Sequence, residues 1–523
     1  MSTLESYLCG RWVTGGGRPA TLVNPSTEEP LAEASTDGLD FGAALDHARR
    51  VGGPALHAMT FAERGAMLKS LASALHAARD ELLDLAMRNG GNTRGDAKFD
   101  VDGAAGTLGA YAELGASLGD ARFLVDGEAV NIGRSSRLAG QHVLTPRRGA
   151  AVHVNAFNFP AWGLAEKAAV ALLAGMPVIT KPATATALVA HRMTQVFVGS
   201  GALPEGALQL VTGGAGDLLD RLGSQDVLAF TGGGSTGVML RGKANLLAAS
   251  THVNVEADSL NAAVLGADVS RGTDTWDLFV ADVVRDMTQK TGQKCTAIRR
   301  VLVPAEQLDA VQEDLCDRLS AVRVGNVLAE GVTMGPVSTA TQLRDARAGI
   351  DRLVASGARV VLGGAAAVQG LGAPEGKGYY VAPTLLRVDD AARGDAVHEH
   401  EVFAPVATLI PYRSAAEAVA IVHRGGGSLV STVYTDDRAL AAELVVGVAA
   451  SNGRVCVANA KVAGAWLGPG AVLPQLLHGG PGRAGGGEEL GGLRGMGLYL
   501  QRTALQGYGP LLDHITAGAK RVG

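Results

Sequence analysis

Hydrophobic residues recur at intervals of three and four in the first part of the chain, which is the spacing of one helix face. The clearest of these positions are Met67, Leu68, Leu71 and Leu75. Just before them, Thr60 and Glu63 have the spacing of a capping box, and Gly90-Gly91 can end the helical stretch. The pattern predicts helical structure over residues 41–89 and a further helix over residues 101–118.

From residue 150 onward, short apolar runs alternate with helical stretches. The runs of the first set are residues 150–155, 177–180, 208–212, 227–231 and 253–256. A second alternating set extends from about residue 261 to residue 459. Strands that alternate with helices predict doubly wound parallel sheets, here in two successive α/β domains.

Polar residues follow several strands of the first set. They are Asn158, Lys181, Thr231 and Glu256. Because doubly wound sheets bind ligands beyond the carboxyl ends of their strands, we expect these side chains at one ligand-binding edge.

Residues 122–148 consist of short apolar pieces separated by glycine, serine and arginine. Such a hairpin is marginal by itself and needs a surface to pack on. We interpret it as an oligomerisation arm, with an ordinary surface hairpin as the alternative. The predicted divisions are a cofactor-binding domain (1–121 and 149–257), a catalytic domain (258–470), the arm (122–148 with 495–515) and a segment beside the active site (471–494).

Composition excludes several classes of protein. The chain has 523 residues, 47% apolar and 19% charged, with a formal net charge of −5, so neither nucleic acid nor an anionic membrane is an expected partner. No apolar run is long enough to span a membrane, and the N-terminus lacks the features of a signal peptide. The four cysteines have no paired spacing, which predicts no disulfide framework, no metal site and a cytoplasmic location.

Cys295 lies in a short polar turn, Thr291-Gly292-Gln293-Lys294-Cys295, ahead of the apolar run 301–303. A turn before a strand can present a thiol beside backbone N–H groups, and Lys294 would favour the thiolate. These features suit a nucleophile. A lone cysteine can also fill a gap as a small hydrophobic residue.

Six segments along the chain support a family resemblance. They are Asn155-Ala-Phe-Asn158-Phe-Pro160, Thr180-Lys181-Pro182, Phe230-Thr231-Gly232 with Gly237, Gly292-Gln293 before Cys295, Gly378-Tyr-Tyr-Val-Ala-Pro383-Thr, and Glu401-Val-Phe403-Ala-Pro405. In this order they resemble the aldehyde dehydrogenase superfamily over nearly the whole chain. The resemblance implies an α/β fold with a Rossmann-type cofactor domain, an α/β catalytic domain and a small oligomerisation arm. The arm over residues 122–148 and the strand-like residues 498–503 predict a homodimer, with a larger assembly as the alternative.

The segment from His478 to Gly491, with Met496 and Gln501-Arg-Thr-Ala-Leu-Gln506, resembles one subgroup more closely. Its members act on semialdehydes of ring-cleaved coenzyme A thioesters in aromatic catabolism, so the implied substrate is a small aldehyde linked to coenzyme A. Some members continue into a hydratase domain. Because this chain ends at Gly523, we expect a dehydrogenase without that domain.

The resemblance implies a role for each candidate catalytic residue. Cys295 adds to the aldehyde, and the Asn158 amide with the Cys295 N–H holds the resulting oxyanion. Glu256 activates the water that hydrolyses the thioester, and Lys167 and Glu489 belong to its proton path. Three alternatives remain: Asn158 as a structural turn residue, Lys167 as an exposed helix lysine, and Glu489 as part of a charged loop.

The spacing around the base departs from the usual pattern of the family. Most of the family places it five residues before a serine, and that spacing from Ser259 falls on Asn254 rather than Glu256. The subgroup shares the shorter form, and a β-bulge would restore the carboxylate to its place. Glu256 is therefore the predicted base, and Asp258 is the alternative.

The predicted cofactor is NADP. Many members that prefer NAD carry a glutamate three residues after Lys181, where this chain has Thr184. A carboxylate there would repel a 2′-phosphate, whereas a hydroxyl can donate to it and Lys181 can pair with it. At the pyrophosphate, Gly233 replaces the usual serine, so backbone N–H groups and Ser235 must serve, unless the loop is only a tight turn. The complete set of expected cofactor residues is Asn155, Phe157, Lys181, Ala183, Thr184, Gly214, Asp217, Thr231, Gly232, Gly233, Ser235, Glu401 and Phe403.

Three other functions compete with this interpretation. One is a dehydrogenase for another semialdehyde or an aliphatic aldehyde. The second is a cofactor-free cysteine hydrolase or thioesterase, although none of the 12 histidines lies in a family context that would orient Cys295. The third is a non-catalytic relative, which the presence of Cys295, Glu256 and Asn158 argues against.

Overall fold

A computed structural model of the protein describes residues 2–135, 137–392 and 394–523. Residue 136, inside the predicted arm, lies outside the described residues. The strands are β1 (Ser2–Leu4), β2 (Ser6–Leu8), β3 (Arg11–Val13), β4 (Ala20–Val23), β5 (Pro30–Ala34), β6 (Leu124–Asn131), β7 (Leu138–Pro146), β8 (Ala151–Val154), β9 (Val178–Lys181), β10 (Leu208–Leu210), β11 (Val227–Thr231), β12 (His252–Glu256), β13 (Ala262–Leu265), β14 (Arg300–Pro304), β15 (Arg359–Leu362), β16 (Thr384–Arg387), β17 (Val406–Tyr412), β18 (Ser428–Tyr434), β19 (Asn452–Ala458), β20 (Leu477–Gly479), β21 (Glu488–Leu490), β22 (Leu500–Tyr508) and β23 (Lys520–Val522). The α-helices are α1 (Phe41–His47), α2 (Gly53–Ala58), α3 (Phe61–Ala77), α4 (Arg79–Gly90), α5 (Arg94–Leu118), α6 (Trp162–Ala174), α7 (Ala187–Gly199), α8 (Gly234–Arg241), α9 (Ala244–Ala248), α10 (Asp274–Thr288), α11 (Leu308–Ser320), α12 (Ala340–Ala355), α13 (Asp395–Glu399), α14 (Ala415–Arg424), α15 (Arg438–Ala449), α16 (Leu493–Met496) and α17 (Gly509–Ile515).

The first large sheet has the strand order β12-β11-β8-β9-β10-β2-β3. Strands β12 to β10 of this order run parallel, and β2 joins β10 in the antiparallel sense. Helices cover the sheet, so its parallel strands are buried and their sequences are apolar runs. Thr231 pairs with Glu256, and Val154 pairs with Lys181. The expected polar residues therefore do lie at the carboxyl ends of adjacent strands.

The second large sheet has the order β15-β16-β17-β14-β13-β18-β19 and is parallel except for the edge strand β15. Apolar residues of this sheet contribute to two separate buried clusters. One cluster contains helices α12, α14 and α15, and the other contains α10 and α11. The chain thus has the two α/β sheets that the alternating pattern predicts, and the turn with Cys295 leads into β14.

The predicted arm forms part of a four-stranded sheet in the order β22-β7-β6-β23. Strand β22 pairs with β7 along its whole length, from Leu500 opposite Pro146 to Tyr508 opposite Leu138. The hairpin therefore packs with the strand-like residues near 498–503, as expected. Strand β23, which joins β6 in parallel, was not expected.

Capping explains where two of the N-terminal helices begin. Thr60 and Glu63 form the predicted capping box at the start of α3. Helix α5 begins at Arg94, earlier than the predicted residue 101, because Thr93 and Asp96 form a second capping box. In the described ranges, none of the helices combines the length and the apolarity that crossing a bilayer requires.

Candidate active site

The turn before Cys295 has an unusual backbone. Lys290 and Thr291 adopt φ angles of 52° and 56°, and Gly292 adopts 65°. A Cβ on Gly292 would lie 2.4 Å from the carbonyl oxygen of Ala404, so only glycine fits there. Positive φ angles at non-glycine residues persist only where the surrounding structure enforces them. Tertiary contacts therefore position this turn.

Two buried side chains hold the backbone around the thiol. The Arg299 guanidinium donates to the carbonyl oxygens of Gly292 at 2.9 Å and Lys294 at 3.3 Å. The Asn261 amide donates to the carbonyl oxygen of Cys295 at 2.8 Å. Within the described ranges the Cys295 N–H donates no hydrogen bond, so it can serve an oxyanion that forms beside the sulfur.

Two cavities meet at Cys295. The first is narrow and is lined by Ala156, Asn158, Phe159, Trp162, Gly163, Glu166, Lys167, Thr231, Glu256, Cys295, Thr296, Gly470, Val472 and His478. The second has a volume of about 440 Å³ and extends along the carboxyl ends of the first sheet toward Glu401 and Phe403. Asn158, Thr231, Glu256 and Cys295 line both cavities. The thiol thus lies where a substrate in one cavity would meet a ligand in the other.

The thiol has a carboxylate and an imidazole as neighbours. One ligand atom each of Glu256, Cys295 and His478 lies within 4.8 Å of the other two. His478 Nε2 is 3.8 Å from Cys295 Sγ and 3.2 Å from Glu256 Oε2. The expectation that no histidine accompanies Cys295 is therefore wrong.

The C-terminal segment brings His478 to this position. Strands β20 and β21 form a hairpin in which His478 pairs with Glu489. The backbone near the hairpin bonds to the end of β12, with Gly487 N–H donating to the Val255 carbonyl oxygen at 3.1 Å. A Cβ on Gly485 would lie 2.2 Å from that same oxygen. The glycines of this segment are what allow its close approach to Glu256.

Mutual electrostatics set the protonation of the three groups. Burial and the Glu256 carboxylate raise the pKa of the Cys295 thiol well above its usual range. Burial also opposes charge on Glu256, but His478 and Lys167 outweigh it and lower the pKa of Glu256 to about 2. For His478, the nearby Glu256 carboxylate outweighs burial and raises the pKa of the imidazole. Burial and the carboxylate thus disfavour a thiolate, whereas His478 and Lys167 favour the charged form of Glu256.

Lys167 lies behind Glu256, in a cluster of carboxylates. Its Nζ is 3.0 Å from Glu166 Oε1 and 3.0 Å from Glu489 Oε2. Only 1% of the Lys167 surface is exposed, so the exposed-lysine alternative is wrong, as is the charged-loop alternative for Glu489, which is 5% exposed. Burial raises the pKa of Glu489 to about 7 despite Lys167, and the carboxylates raise the pKa of Lys167 against its own burial.

The two alternative bases occupy other places. Asn254 donates its amide to Glu489 Oε1 at 3.1 Å, so it supports the cluster rather than facing the thiol. Asp258 accepts the Gly234 N–H at 2.8 Å at the start of α8. Glu256 reaches the site without the expected bulge, since β11 and β12 pair in continuous register to their last residues.

Asn158 lies beside Cys295, as expected, whereas the Lys294 side chain is bound to Asp286. The buried amide of Asn158 donates to the Gln293 carbonyl oxygen at 3.0 Å, and the residue lines both cavities beside Cys295. The Lys294 ammonium instead lies 2.6 Å from Asp286 and 2.9 Å from the Gln289 amide oxygen. The expectation that Lys294 supplies positive charge to the thiol is therefore wrong, because Asp286 already neutralises it.

The second cavity contains most of the expected cofactor residues. The predicted residues that line it are Asn155, Phe157, Ala183, Thr231, Gly232, Gly233, Glu401 and Phe403. Asn155 Oδ1 and Thr231 Oγ1 are buried without a hydrogen-bond partner in the described protein. Arg299 and the Ser259 N–H hold Glu401, whose pKa burial raises to about 7. Orphaned polar atoms in an elongated cavity that ends at the thiol fit a dinucleotide.

Five expected cofactor residues lie outside that lining. Lys181 donates to the Pro182 carbonyl oxygen at 3.2 Å. Thr184, two residues after Pro182, begins a short 3-10 turn. The Gly214 carbonyl accepts from Thr36, and Asp217 pairs with Arg221 at 2.6 Å on the surface. Ser235 is exposed on α8, where Thr236 lines the cavity instead.

Residues 12–471 match the model of the aldehyde dehydrogenase family. The chain therefore belongs to the aldehyde dehydrogenase family, and it is an enzyme that oxidises an aldehyde with a nicotinamide dinucleotide cofactor. This confirms the family resemblance, the fold class and the reaction inferred above, and it excludes a cofactor-free hydrolase as the main function.

Particular relatives are more informative about the subgroup. The chain is 47% identical over 478 residues to 3,4-dehydroadipyl-CoA semialdehyde dehydrogenase of Aromatoleum evansii, covering 91% of this chain and 93% of that protein. It is 44% identical over 182 residues to Protein MaoC of Klebsiella aerogenes, covering 35% of this chain and 52% of that one.

Solved structures agree on the fold. Lactaldehyde dehydrogenase from Escherichia coli superposes with a TM-score of 0.84 at 26% identity, covering 97% and 99% of the two chains. A variant of betaine aldehyde dehydrogenase from Staphylococcus aureus in complex with NAD+ gives a TM-score of 0.84 at 22% identity, covering 97% and 98%.

Proposed function

We propose that this enzyme oxidises 3,4-dehydroadipyl-CoA semialdehyde to the corresponding coenzyme A-linked acid, with NADP as the cofactor, in aerobic benzoate degradation. The similarity that supports the substrate is 47% identity over nine-tenths of both chains to a dehydrogenase of that name. The hairpin that carries His478 and Glu489 shapes the site around the thiol.

The chain's own residues account for the protein's part in the reaction. Cys295 adds to the aldehyde carbon, and its free N–H together with the Asn158 amide holds the oxyanion. Residues of the second cavity, Glu401 and Phe403 among them, would hold the nicotinamide dinucleotide, which would supply the hydride acceptor. A thioester on Cys295 results, and Glu256 takes a proton from the water that hydrolyses it.

The buried cluster behind Glu256 suits a proton path. One carboxylate oxygen each of Glu166, Glu256 and Glu489 lies within 4.8 Å of the other two, a separation that one bridging water can span. Glu489, with a pKa of about 7, can both accept and release a proton near neutral pH. Lys167 keeps the cluster from accumulating uncompensated negative charge.

Preference for NADP rests on Lys181, the last residue of β9, and on Thr184, three residues later. The Thr184 hydroxyl is small and uncharged, so it does not repel a 2′-phosphate. Burial lowers the pKa of Lys181, and the negative charge of a bound phosphate would raise that pKa again. A higher kcat/KM with NADP than with NAD is expected, and the opposite order would contradict the assignment.

A homodimer formed through the arm is part of this proposal. Among the described residues, β22 is an edge strand that pairs only with β7, and its side chains are mostly exposed. Val130 on β6 and Tyr508 on β22 are 57% and 55% exposed, so this sheet presents apolar surface that a second copy of the chain could cover. Sedimentation should give twice the chain mass of 53.3 kDa, and a monomer would contradict the assignment.

The substrate is tested by steady-state turnover. Purified enzyme with NADP should show a kcat/KM for the coenzyme A-linked semialdehyde far above that for free aliphatic aldehydes of similar length. Cys295→Ser provides the control, because it should abolish turnover of every aldehyde. Equal kcat/KM values for free and coenzyme A-linked aldehydes would leave the dehydrogenase activity intact but reject the substrate. The cytoplasmic location remains a prediction, supported by four cysteines that form no disulfide.

A further inference from the structure

We propose that His478 is a catalytic residue, and that its imidazole takes the proton of the Cys295 thiol so that the nucleophile forms as a thiolate beside an imidazolium. The proposal concerns how the thiol is activated and is independent of which aldehyde or dinucleotide is used.

The geometry places one nitrogen between the two other groups. His478 Nε2 lies 3.8 Å from Cys295 Sγ, within hydrogen-bond reach for sulfur, and 3.2 Å from Glu256 Oε2. His478 and Glu256 are 4% and 2% exposed, so water does not compete freely for these contacts. A side chain that lay there only to fill space would not direct its polar edge at both groups.

The thiol needs such an acceptor. Cys295 is partly buried beside a carboxylate, and both features disfavour a thiolate. The cation expected to counter them, Lys294, is bound to Asp286. Glu256 also contacts the thiol, but His478 and Lys167 lower the pKa of its carboxylate despite burial, which makes it a poor acceptor for the thiol proton. The imidazole is the remaining base in contact with the sulfur.

The charges around His478 favour its protonated form on balance. Burial and Arg454 on β19 lower the pKa of the imidazole, whereas Glu256 at the end of β12 and Glu166 on α6 raise it. Glu489 pairs with His478 across the hairpin, but Lys167 lies 3.0 Å from the Glu489 carboxylate. Arg454 is itself engaged by the Pro469 carbonyl oxygen at 2.6 Å. The carboxylates therefore dominate at the imidazole.

The proton transfer balances without another reactant. The S–H bond of Cys295 breaks, sulfur keeps the electron pair, and a new N–H bond forms at His478 Nε2. That N–H then donates to Glu256 Oε2, which stabilises the imidazolium. Because the same nitrogen faces both partners, the ring must hold its neutral-state proton on Nδ1 before the transfer.

The position of the ring is built into the backbone. A Cβ on Gly479 would lie 1.9 Å from the Gly487 carbonyl oxygen, and one on Gly453 would lie 1.7 Å from the Gly479 carbonyl oxygen. Strands β19, β20 and β21 therefore approach one another closely on both sides of His478. This packing holds the imidazole at the thiol before any substrate arrives.

The test measures thiol reactivity in the free enzyme. The rate of Cys295 alkylation by iodoacetamide should be followed from pH 5 to pH 10 in wild type, His478→Asn and His478→Gln, with Cys295→Ser to identify the labelled site. Loss of the imidazole should raise the apparent pKa of alkylation by a unit or more, which lowers the rate at pH 7 about tenfold. Added imidazole should partly restore the rate in His478→Ala. An alkylation profile unchanged in His478→Asn would overturn the proposal.

A second measurement needs no change at position 478. The absorbance near 240 nm of wild type minus Cys295→Ser reports the thiolate as pH rises. A thiolate that forms in the range where imidazoles titrate supports the proposal. A thiolate that appears only at the pH of an isolated buried thiol contradicts it, even if aldehyde oxidation itself is normal.

Discussion

Replacing Lys167 by methionine tests whether the buried cluster behind the base is as tightly balanced as the structure shows. Methionine keeps an unbranched side chain in α6 but removes the ammonium that lies 3.0 Å from both Glu166 and Glu489. Breaking a fully buried ion pair by removing one partner typically costs about 3–5 kcal/mol, because the other charge is left uncompensated. With Lys167 at 1% exposure and Glu489 at 5%, solvent screening gives no relief.

The cost should depend on pH in a defined direction. The pKa of Glu489 is about 7 with Lys167 present, and removing the cation raises it further. Near pH 6 the Glu489 carboxyl group of the variant is then neutral, so the loss of folding stability is reduced. At pH 8 the variant must either bury a charged carboxylate or take up a proton on folding, and both cost free energy. We therefore expect Lys167→Met to lose more stability at pH 8 than at pH 6.

The assay is urea unfolding at both pH values, followed by tryptophan fluorescence. Lys69, which is exposed and has no ion-pair partner in the described structure, provides the matched control: Lys69→Met should change the free energy of unfolding by at most about 0.5 kcal/mol. Adding Glu489→Gln to Lys167→Met should recover part of the loss, because the uncompensated charge is gone. A loss below about 1 kcal/mol for Lys167→Met at pH 8, equal to that at pH 6, would refute the reasoning.

Three further substitutions have defined outcomes. Thr184→Glu should lower kcat/KM for NADP about tenfold or more while sparing NAD, and equal losses with both cofactors would count against a role at the 2′-phosphate. Gly292→Ala should cost about 2–4 kcal/mol in thermal or urea unfolding, since its Cβ meets the Ala404 carbonyl oxygen, whereas the control Gly106→Ala, in open space on α5, should be neutral or stabilising. Burial raises the pKa of Glu489 from 4.5 to about 7 in the folded state, so the carboxyl group's contribution to folding stability is complete below pH 4.5 and is lost as pH rises to about 7. Glu489→Gln should therefore flatten the pH dependence of the free energy of unfolding over this range. An unchanged pH dependence would contradict the burial of this carboxyl group.

Local signals predicted the scaffold well. The capping box at Thr60 and the alternation of apolar runs with helices gave the start of α3 and two α/β sheets in the right places. The edge at which Thr231 and Glu256 meet followed from parallel register alone. Helix α5 was underestimated because Thr93 and Asp96, which cap it, precede a run with weak apolar periodicity.

The site itself was only partly predictable, because its side chains come from distant parts of the chain. His478 lies 183 residues from Cys295, and only the folded hairpin shows that the two meet. Lys294 is adjacent to Cys295 in sequence, yet its charge belongs to Asp286 on α10. Proximity along the chain points to the wrong cation, whereas the histidine in the glycine-rich C-terminal segment is the sequence signal for the partner of the thiol.

The central claim, that Cys295 forms a covalent thioester which Glu256 then hydrolyses, is tested most directly by Glu256→Gln in a single turnover. The variant is mixed with NADP and the coenzyme A-linked semialdehyde, quenched in acid, and analysed by mass spectrometry of the peptide that contains Cys295. We expect a burst of reduced cofactor, one per active site, and an acyl adduct on that peptide that persists because hydrolysis is slowed about 100-fold or more. Formation of reduced cofactor with no adduct on Cys295, or full turnover by the variant, would contradict the account.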